Sequence, residues 1–325
     1  MPPTNRPRPV AALAALALSI VTLCVAQPAS AQSEAPAPAR LLAAAKSWGY
    51  QLQKIDPEAI AAVPHDVLVI DYSRDGTDAN AFTAEEVGKL KIKPDGSRRI
   101  VLAYLSIGEA ESYRYYWQWY WFLDEFAPVW RGSPNKQWKG NYSVRYWHEE
   151  WQEIIFGGAD SYLARIVGAG FDGVYLDKVD EYESIKDSPD ARAQMIALVK
   201  ALAARARALK PGFLIVPQNA EELLTEKDYR AAIDGIGKED LLFGEVRNKR
   251  PNPPARIESG VASLKLMTGD RKPVFAVEYI DTPQEIALAR KQIEDYGFIP
   301  LFADRALDNI RTGDLPVPGR RPGRK

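Results

Sequence analysis

The chain has 325 residues, with 42 Lys and Arg against 43 Asp and Glu, two His and one Cys, for a net charge of −1. Near-neutrality removes the basic excess on which nucleic-acid and membrane-surface binding draw, so no nucleic-acid partner is expected. Two His and a single Cys exclude a Cys/His zinc cluster and any internal disulfide, which leaves polar chemistry to carboxylates, Tyr, Lys and Arg.

Arg6 and Arg8 precede an apolar run from Val10 to Ala26, and Ala29-Ser30-Ala31 has the small-x-small form of a cleavage site. Residues 1–31 therefore read as a secretory signal peptide, which would carry away the lone Cys24. The expectation is a secreted or periplasmic protein released near Ala31, with no stable membrane anchor. Residues 32–46 read as a linker, 47–312 as the folded domain and 313–325 as a disordered, Pro/Gly/Arg-rich basic tail.

Within the domain, strand-like runs fall at Gly49–Leu52, Val67–Asp71, Ile100–Leu105, Gly173–Asp177, Phe213–Pro217, Ile233–Glu239, Val274–Tyr279 and Ile299–Phe302. Several are continuous apolar runs, the pattern of strands covered on both faces. Helix-like stretches lie between them at Pro57–Ala62, Ala84–Lys91, Ser161–Ala169, Ala191–Leu209, Tyr229–Ala232, Arg256–Thr268 and Pro283–Tyr296, with start signals at Thr83 and Thr282-Pro283. Eight strands alternating with helices predict an α/β chain folded as a (β/α)8 TIM barrel. A doubly wound open sheet is the alternative, but no glycine-rich phosphate loop follows the early strands. The one irregular piece is an insertion over about residues 108–160, between the third and fourth strands. It holds seven of the eight Trp and six Tyr, from Tyr113 to Trp151. It reads as a satellite core, with two or three rings left over as platforms for the apolar faces of sugars.

Barrel active sites form where the C-terminal ends of the strands converge. Those ends carry Tyr50 on the first strand, Asp71 on the second, and Tyr104 followed by Glu109 on the third. The fourth ends at Asp177, with Lys178 and Asp180 beyond. The fifth ends at Gln218-Asn219, the sixth at Glu239, the seventh at Glu278-Tyr279 and the eighth at Asp304-Arg305. Each acid alone could be a helix cap or a salt-bridge partner. Gathered at one mouth they would repel one another and split their pKa values, so that one carboxyl donates a proton while another attacks. The acid-rich stretches Asp71–Asp78 and Asp177–Glu183 lack the full Ca²⁺-loop spacing, and no metal or other cofactor is expected.

Several segments are shared in pattern with a known family: Trp48-Gly-Tyr-Gln-Leu-Gln53, Val69-Ile-Asp-Tyr-Ser73, Val101-Leu-Ala-Tyr-Leu-Ser-Ile-Gly-Glu-Ala-Glu111 with Tyr113-Arg114, Val144-Arg-Tyr-Trp147 and Gly170-Phe-Asp-Gly-Val-Tyr-Leu-Asp-Lys-Val-Asp180. In these the chain resembles glycoside hydrolase family 114, in particular the prokaryotic branch related to endo-α-1,4-polygalactosaminidase. The resemblance spans roughly Trp48 to Asp304. It implies a TIM barrel that hydrolyses α-1,4-linked galactosamine polymers, so the expected partner is a polysaccharide or oligosaccharide. The family's catalytic pair, an Asp ending the fourth strand and a Glu ending the sixth, falls on Asp177 as nucleophile and Glu239 as acid/base, with Glu245 as local competitor for the second role. Tyr50, Asp71, Tyr104, Glu109, Asp180, Asn219 and Glu278 are the candidate substrate-binding residues. Lys178 stands where the family more often carries Asn. A non-catalytic carbohydrate-binding barrel is the alternative function, and the two separate on whether the Asp177 and Glu239 carboxyls face each other.

Overall fold

Eleven strands and nine helices are found among the residues described by a computed structural model, namely Met1 and 38–310 apart from 187, 246 and 248. The expected signal segment beyond Met1 and the basic tail lie outside them. In chain order the strands are β1 (Trp48–Gln51), β2 (Val67–Ile70), β3 (Ile100–Ser106), β4 (Glu109–Glu111), β5 (Arg131–Pro134), β6 (Asn141–Val144), β7 (Gly173–Asp177), β8 (Leu214–Pro217), β9 (Ile236–Glu239), β10 (Val274–Glu278) and β11 (Ile299–Phe302). The helices are α1 (Pro38–Ala43), α2 (Pro57–Ala61), α3 (Ala84–Leu90), α4 (Glu149–Gln152), α5 (Tyr162–Gly168), α6 (Ala191–Leu209), α7 (Lys227–Ala232), α8 (Pro254–Gly269) and α9 (Pro283–Asp295). Local chemistry starts several of them. Asp56 accepts from the Glu58 N–H, Thr83 and Glu86 close a full capping box, and Ser161 accepts from the Ala164 N–H.

All eight expected barrel strands form, each within three residues of its expected limits. β1-β2-β3-β7-β8 make one parallel sheet and β9-β10-β11 a second. A single parallel bridge, Gln218 to Gly237, joins β8 to β9. On the other side the Trp48 indole N–H donates to the Ile299 carbonyl at 3.1 Å, and the Leu52 and Gln53 amides donate to the Leu307 carbonyl. The result is the (β/α)8 barrel, drawn as five strands plus three with a thin seam at β8–β9.

Alternation along each strand divides the core in two. Trp48, Tyr50, Val67, Val69, Leu102, Tyr104, Tyr175, Leu214, Val216, Phe275, Val277, Tyr279 and Leu301 fill the barrel interior. Their strand neighbours Leu68, Ile70, Val101, Ala103, Val174, Leu176, Ile215, Val274 and Ala276 pack outward in the larger cluster that includes the helices. Inside, the Trp48 ring meets Tyr50, Tyr175 and Phe275 at centroid distances of 6.0, 6.2 and 5.4 Å. Gly237 makes room for this layer, because a Cβ there would stand 1.8 Å from the Tyr175 hydroxyl oxygen. Gly237→Ala should therefore overpack the interior and cost about 1–3 kcal/mol. Thermal unfolding followed by circular dichroism should show a Tm several degrees lower, and an unchanged Tm would mean that the layer can yield.

Two expectations on organisation change. Pro38–Ala43, expected within the linker, form α1, and its Leu42 is fully buried against the interior cluster, so the folded part begins earlier than residue 47. The insertion is not irregular throughout: β4, β6 and β5 form an antiparallel sheet in that order, backed by buried Trp130 and Trp151 with ring centroids 4.9 Å apart. Among the described residues no helix is long and apolar enough to cross a membrane.

Candidate active site

A cavity of about 540 Å³ opens at the C-terminal ends of the barrel strands. Its wall is built from the inward-facing position that ends each strand: Tyr50, Asp71, Tyr104, Asp177, Gln218, Glu239 and Tyr279, completed by Arg305 after β11. Eight of the nine sequence-derived site residues line it, namely Tyr50, Asp71, Tyr104, Glu109, Asp177, Asp180, Asn219 and Glu239.

Asp177 and Glu239 meet on the floor. Asp177 accepts from the Tyr104 hydroxyl at 2.7 Å, from the Lys178 amide at 2.8 Å and from Gln218 Nε2 at 3.0 Å. Glu239 accepts from the same Gln218 Nε2 at 2.8 Å and from the Tyr279 hydroxyl. Its own backbone N–H donates to Asn219 Oδ1 at 3.0 Å. With one nitrogen so near to both, the closest carboxylate oxygens stand less than about 6 Å apart. Burial raises both carboxyls, and the Glu239 charge helps push Asp177 up to about 7, while the Tyr104 hydrogen bond opposes the rise. The pair therefore shares a proton close to neutral pH.

Lys178 adopts a left-handed backbone (φ 60°), which turns its N–H toward Asp177. Its ammonium goes elsewhere, to Glu109 at 3.2 Å and Glu181 at 3.0 Å. Gly108, in the Ser-Ile-Gly-Glu segment, lets this turn approach, since a Cβ there would meet the Lys178 carbonyl oxygen at 2.2 Å.

The remaining acids divide by partner. Asp71 lines the cavity with both oxygens held by the Arg114 fork at 2.9 and 2.7 Å, so it acts as a strut more than as a free ligand for sugar. Arg114, fully buried, also donates to Glu111 at 2.6 Å and lies over the rings of Tyr72, Tyr113 and Tyr162. Glu109 accepts from Asn135 at 2.7 Å and Asn141 at 3.1 Å, which anchors the insertion sheet to the cavity rim. Asp180 takes part in no ion pair among the described residues and faces the cavity and a second hollow of about 530 Å³ beside it.

Glu278 is a correction. It is fully buried, off the cavity wall, and its two oxygens accept the Leu242 and Phe243 amides at 2.8 and 3.1 Å. It lies on the outward face of β10 with Val274 and Ala276, and the next residue, Tyr279, is the one that points into the site. Glu245 is paired with Arg256 and lines only the second hollow, whereas Glu239 shares a donor with Asp177. In the acidic stretch after β2, Asp75 is satisfied locally, accepting from Thr77 and Asn80, which hold its carboxyl at about 2, while Asp78 pairs with Arg165. Among the described residues no three His, Cys, Asp or Glu side chains form a group able to hold a metal ion.

Of the insertion rings, only Trp138 and Tyr113 line the cavity, and both are partly exposed. Trp138 sits on the β5–β6 hairpin tip, where Asn135 Oδ1 accepts the Gln137 and Trp138 amides. Trp130, Trp151 and Tyr116 are buried, while Trp119, Phe122 and Phe126 are exposed off the cavity wall.

Gln218, Tyr279 and Arg305, named at the strand ends but not among the candidate site residues, also line the cavity. The signal for the first two is the two-residue period: counting from Leu214 and Val216 reaches Gln218, and from Phe275 and Val277 reaches Tyr279. Arg305 lies over the Tyr279 ring at 4.1 Å and is held by Asp240, beyond any strand periodicity.

Comparison with known proteins gives the family and agrees with the fold. The model of glycoside-hydrolase family GH114 matches residues 26–314. An uncharacterized protein of Deinococcus radiodurans is 37% identical over 290 residues, covering 88% of each chain. One of Methanocaldococcus jannaschii is 36% identical over 282 residues, 82% of this chain and 78% of that one. Among solved structures, the glycoside hydrolase domain of PelA from Pseudomonas aeruginosa superposes with a TM-score of 0.62 at 18% identity, covering 82% of this chain and 97% of that one. Aspergillus fumigatus Ega3, solved in complex with galactosamine, superposes with a TM-score of 0.61 at 19% identity, covering 86% and 97%. At such identities these two structures speak for the fold.

Proposed function

Because the chain belongs to glycoside-hydrolase family GH114 and is a glycosidase, we propose that it cleaves an α-1,4-linked galactosamine-type polysaccharide internally, with retention at the anomeric carbon. The observation that carries the mechanism is the single Gln218 nitrogen within 3.0 Å of Asp177 and 2.8 Å of Glu239. Retaining glycosidases hold their carboxyls about 5–5.5 Å apart, and inverting ones about 6.5–9.5 Å, to admit a water. The spacing here supports the first.

Asp177, which accepts from three donors, attacks the anomeric carbon when the shared proton rests on Glu239. The glycosidic C–O bond breaks as Glu239 gives its proton to the leaving oxygen, and a glycosyl ester of Asp177 forms. Glu239, now a carboxylate, takes a proton from water; the hydroxyl oxygen bonds to the anomeric carbon and Asp177 is released. Trp138 and Tyr113 offer ring faces at the rim. The Lys178 ammonium, already neutralised by Glu109 and Glu181, leaves Asp180 free to meet an amino group on the sugar. Export is part of the proposal, supported by the Val10–Ala26 run and the Ala29-Ser30-Ala31 motif.

The test is incubation of the protein with de-N-acetylated α-1,4-galactosamine polymer, followed by proton NMR of the new reducing ends. Fragments of falling size with the α-anomer appearing first are expected. Early β-anomer would overturn retention, and an intact polymer would overturn the substrate.

A further inference from the structure

We propose that Gln218 is the positioning residue of this site, its one carboxamide holding Asp177 and Glu239 at the spacing that double displacement requires. The inference rests on the catalytic reading of that pair given above.

The barrel's construction makes such a residue necessary. Asp177 ends β7 in the five-strand sheet and Glu239 ends β9 in the three-strand sheet, and a single backbone bridge joins the two sheets. The separation of the carboxylates is therefore set across a thin seam of the wall. Gln218 stands on that seam. Its backbone forms the bridge to Gly237 and donates to the Leu176 carbonyl at 2.8 Å. Its side chain, 3% exposed, reaches both acids. A primary amide carries two N–H bonds on one nitrogen, one for each carboxylate. Tyr104 donates to Asp177 and Tyr279 to Glu239. Among the described residues no other side chain donates to both.

The amide's own orientation follows from the same contacts. Gln218 Oε1 is buried and has no hydrogen-bond partner. Rotating the amide by half a turn would set that oxygen against two carboxylates, so the acids themselves fix which way it points. The arrangement suits both halves of the reaction. When Asp177 is free, the amide donates to two carboxyl groups that share one proton. When Asp177 becomes an ester, its oxygens accept less well, and the bond to Glu239 strengthens as that residue turns into the base.

The other groups around the pair are accounted for. Tyr50, Tyr104, Tyr175 and Tyr279 are buried phenols raised well above their ordinary range, and so remain neutral. The charged neighbours are Asp180, Asp240, Arg305 and the Lys178 ammonium, none of which bonds to Gln218.

Gln218→Leu and Gln218→Met keep the bulk and remove the donor. In the full chain, carboxyl carbon-13 NMR should show Asp177 and Glu239 titrating as a coupled pair, assigned with Asp177→Asn and Glu239→Gln. Both titration steps should move up by about one pH unit in the folded Gln218 variants, because a donor to the charged form is gone. Turnover of α-1,4-galactosamine polymer should fall about 30- to 100-fold with KM changed less than about threefold, the mark of a group that serves the transition state. A folded Gln218→Leu or Gln218→Met protein whose titration steps coincide with those of the unsubstituted chain would overturn the proposal. That failure is distinct from failure of the catalytic reading, in which Asp177→Asn and Glu239→Gln would themselves retain turnover.

Discussion

Replacing Glu239 by Ala should leave an enzyme that no longer degrades polymer yet still reacts with an aryl glycoside bearing a good leaving group. The reason is a division of labour between the two acids. In the proposed mechanism Glu239 supplies a proton to the leaving oxygen, a contribution of about 10²–10⁴ that an acidic phenol does not need. Added azide should then fill the space left by the side chain and intercept the Asp177 ester, giving a glycosyl azide with the configuration of the substrate. Asp177→Asn should lose roughly 10⁴-fold or more on both substrates, with no rescue, because the covalent step itself is gone. The pH dependence follows from the shared proton. Burial, and then the charge of Glu239, push Asp177 up to about 7, so above that pH the pair has lost the one proton that Glu239 must deliver, and kcat/KM should fall on the alkaline side. Glu239→Gln removes the group that delivers the shared proton, so the alkaline limb should vanish with it. An Asp177→Asn protein with ordinary turnover would refute the assignment, whatever the behaviour of Glu239.

Arg114 is expected to give the largest loss of stability. Its fully buried guanidinium compensates Asp71 and Glu111, both nearly inaccessible, at 2.6 to 2.9 Å. Arg114→Met would strand two carboxylates in the interior, a change that costs about 3–5 kcal/mol where one partner of a buried pair is removed. Against a total stability of about 5–15 kcal/mol this is a large fraction. It should lower Tm by roughly 6–15 °C for a domain of this size. The triple variant with Asp71→Asn and Glu111→Gln should recover much of the loss. If the triple variant were no more stable than Arg114→Met, lost packing rather than stranded charge would be the cause.

The contrast between Glu278 and Tyr279 shows how far the sequence could be read. The strands were legible because a strand covered on both faces is an unbroken apolar run, as in Val67-Leu-Val-Ile70 or Val274-Phe-Ala-Val277. Such a run, lacking alternation of its own, does not announce which face points inward. The acid at the end of β10, Glu278, is turned outward, and its neighbour Tyr279 is the residue that faces the site. The proposed catalytic acids were legible to different degrees: Asp177 stands at a strand end and within a segment shared with the family, whereas Glu239 stands at a strand end outside those segments, with Glu245 as a competitor. Arg114 was visible as part of a motif, but its work was not, since Asp71 lies 43 residues away and only folding brings them together. The insertion sheet was hidden for a different reason. Arg131-Gly-Ser-Pro134 carries neither alternation nor β-branched residues, and it becomes a strand by pairing with β6 over Trp130 and Trp151.

The five-plus-three construction of the wall has a further consequence. The two proposed catalytic acids ride on different halves of the barrel, so on that proposal catalysis is sensitive to any breathing between them. A small opening at β8–β9, too slight to alter helix content, already separates nucleophile from proton donor. Heat should silence the enzyme while its secondary structure still stands.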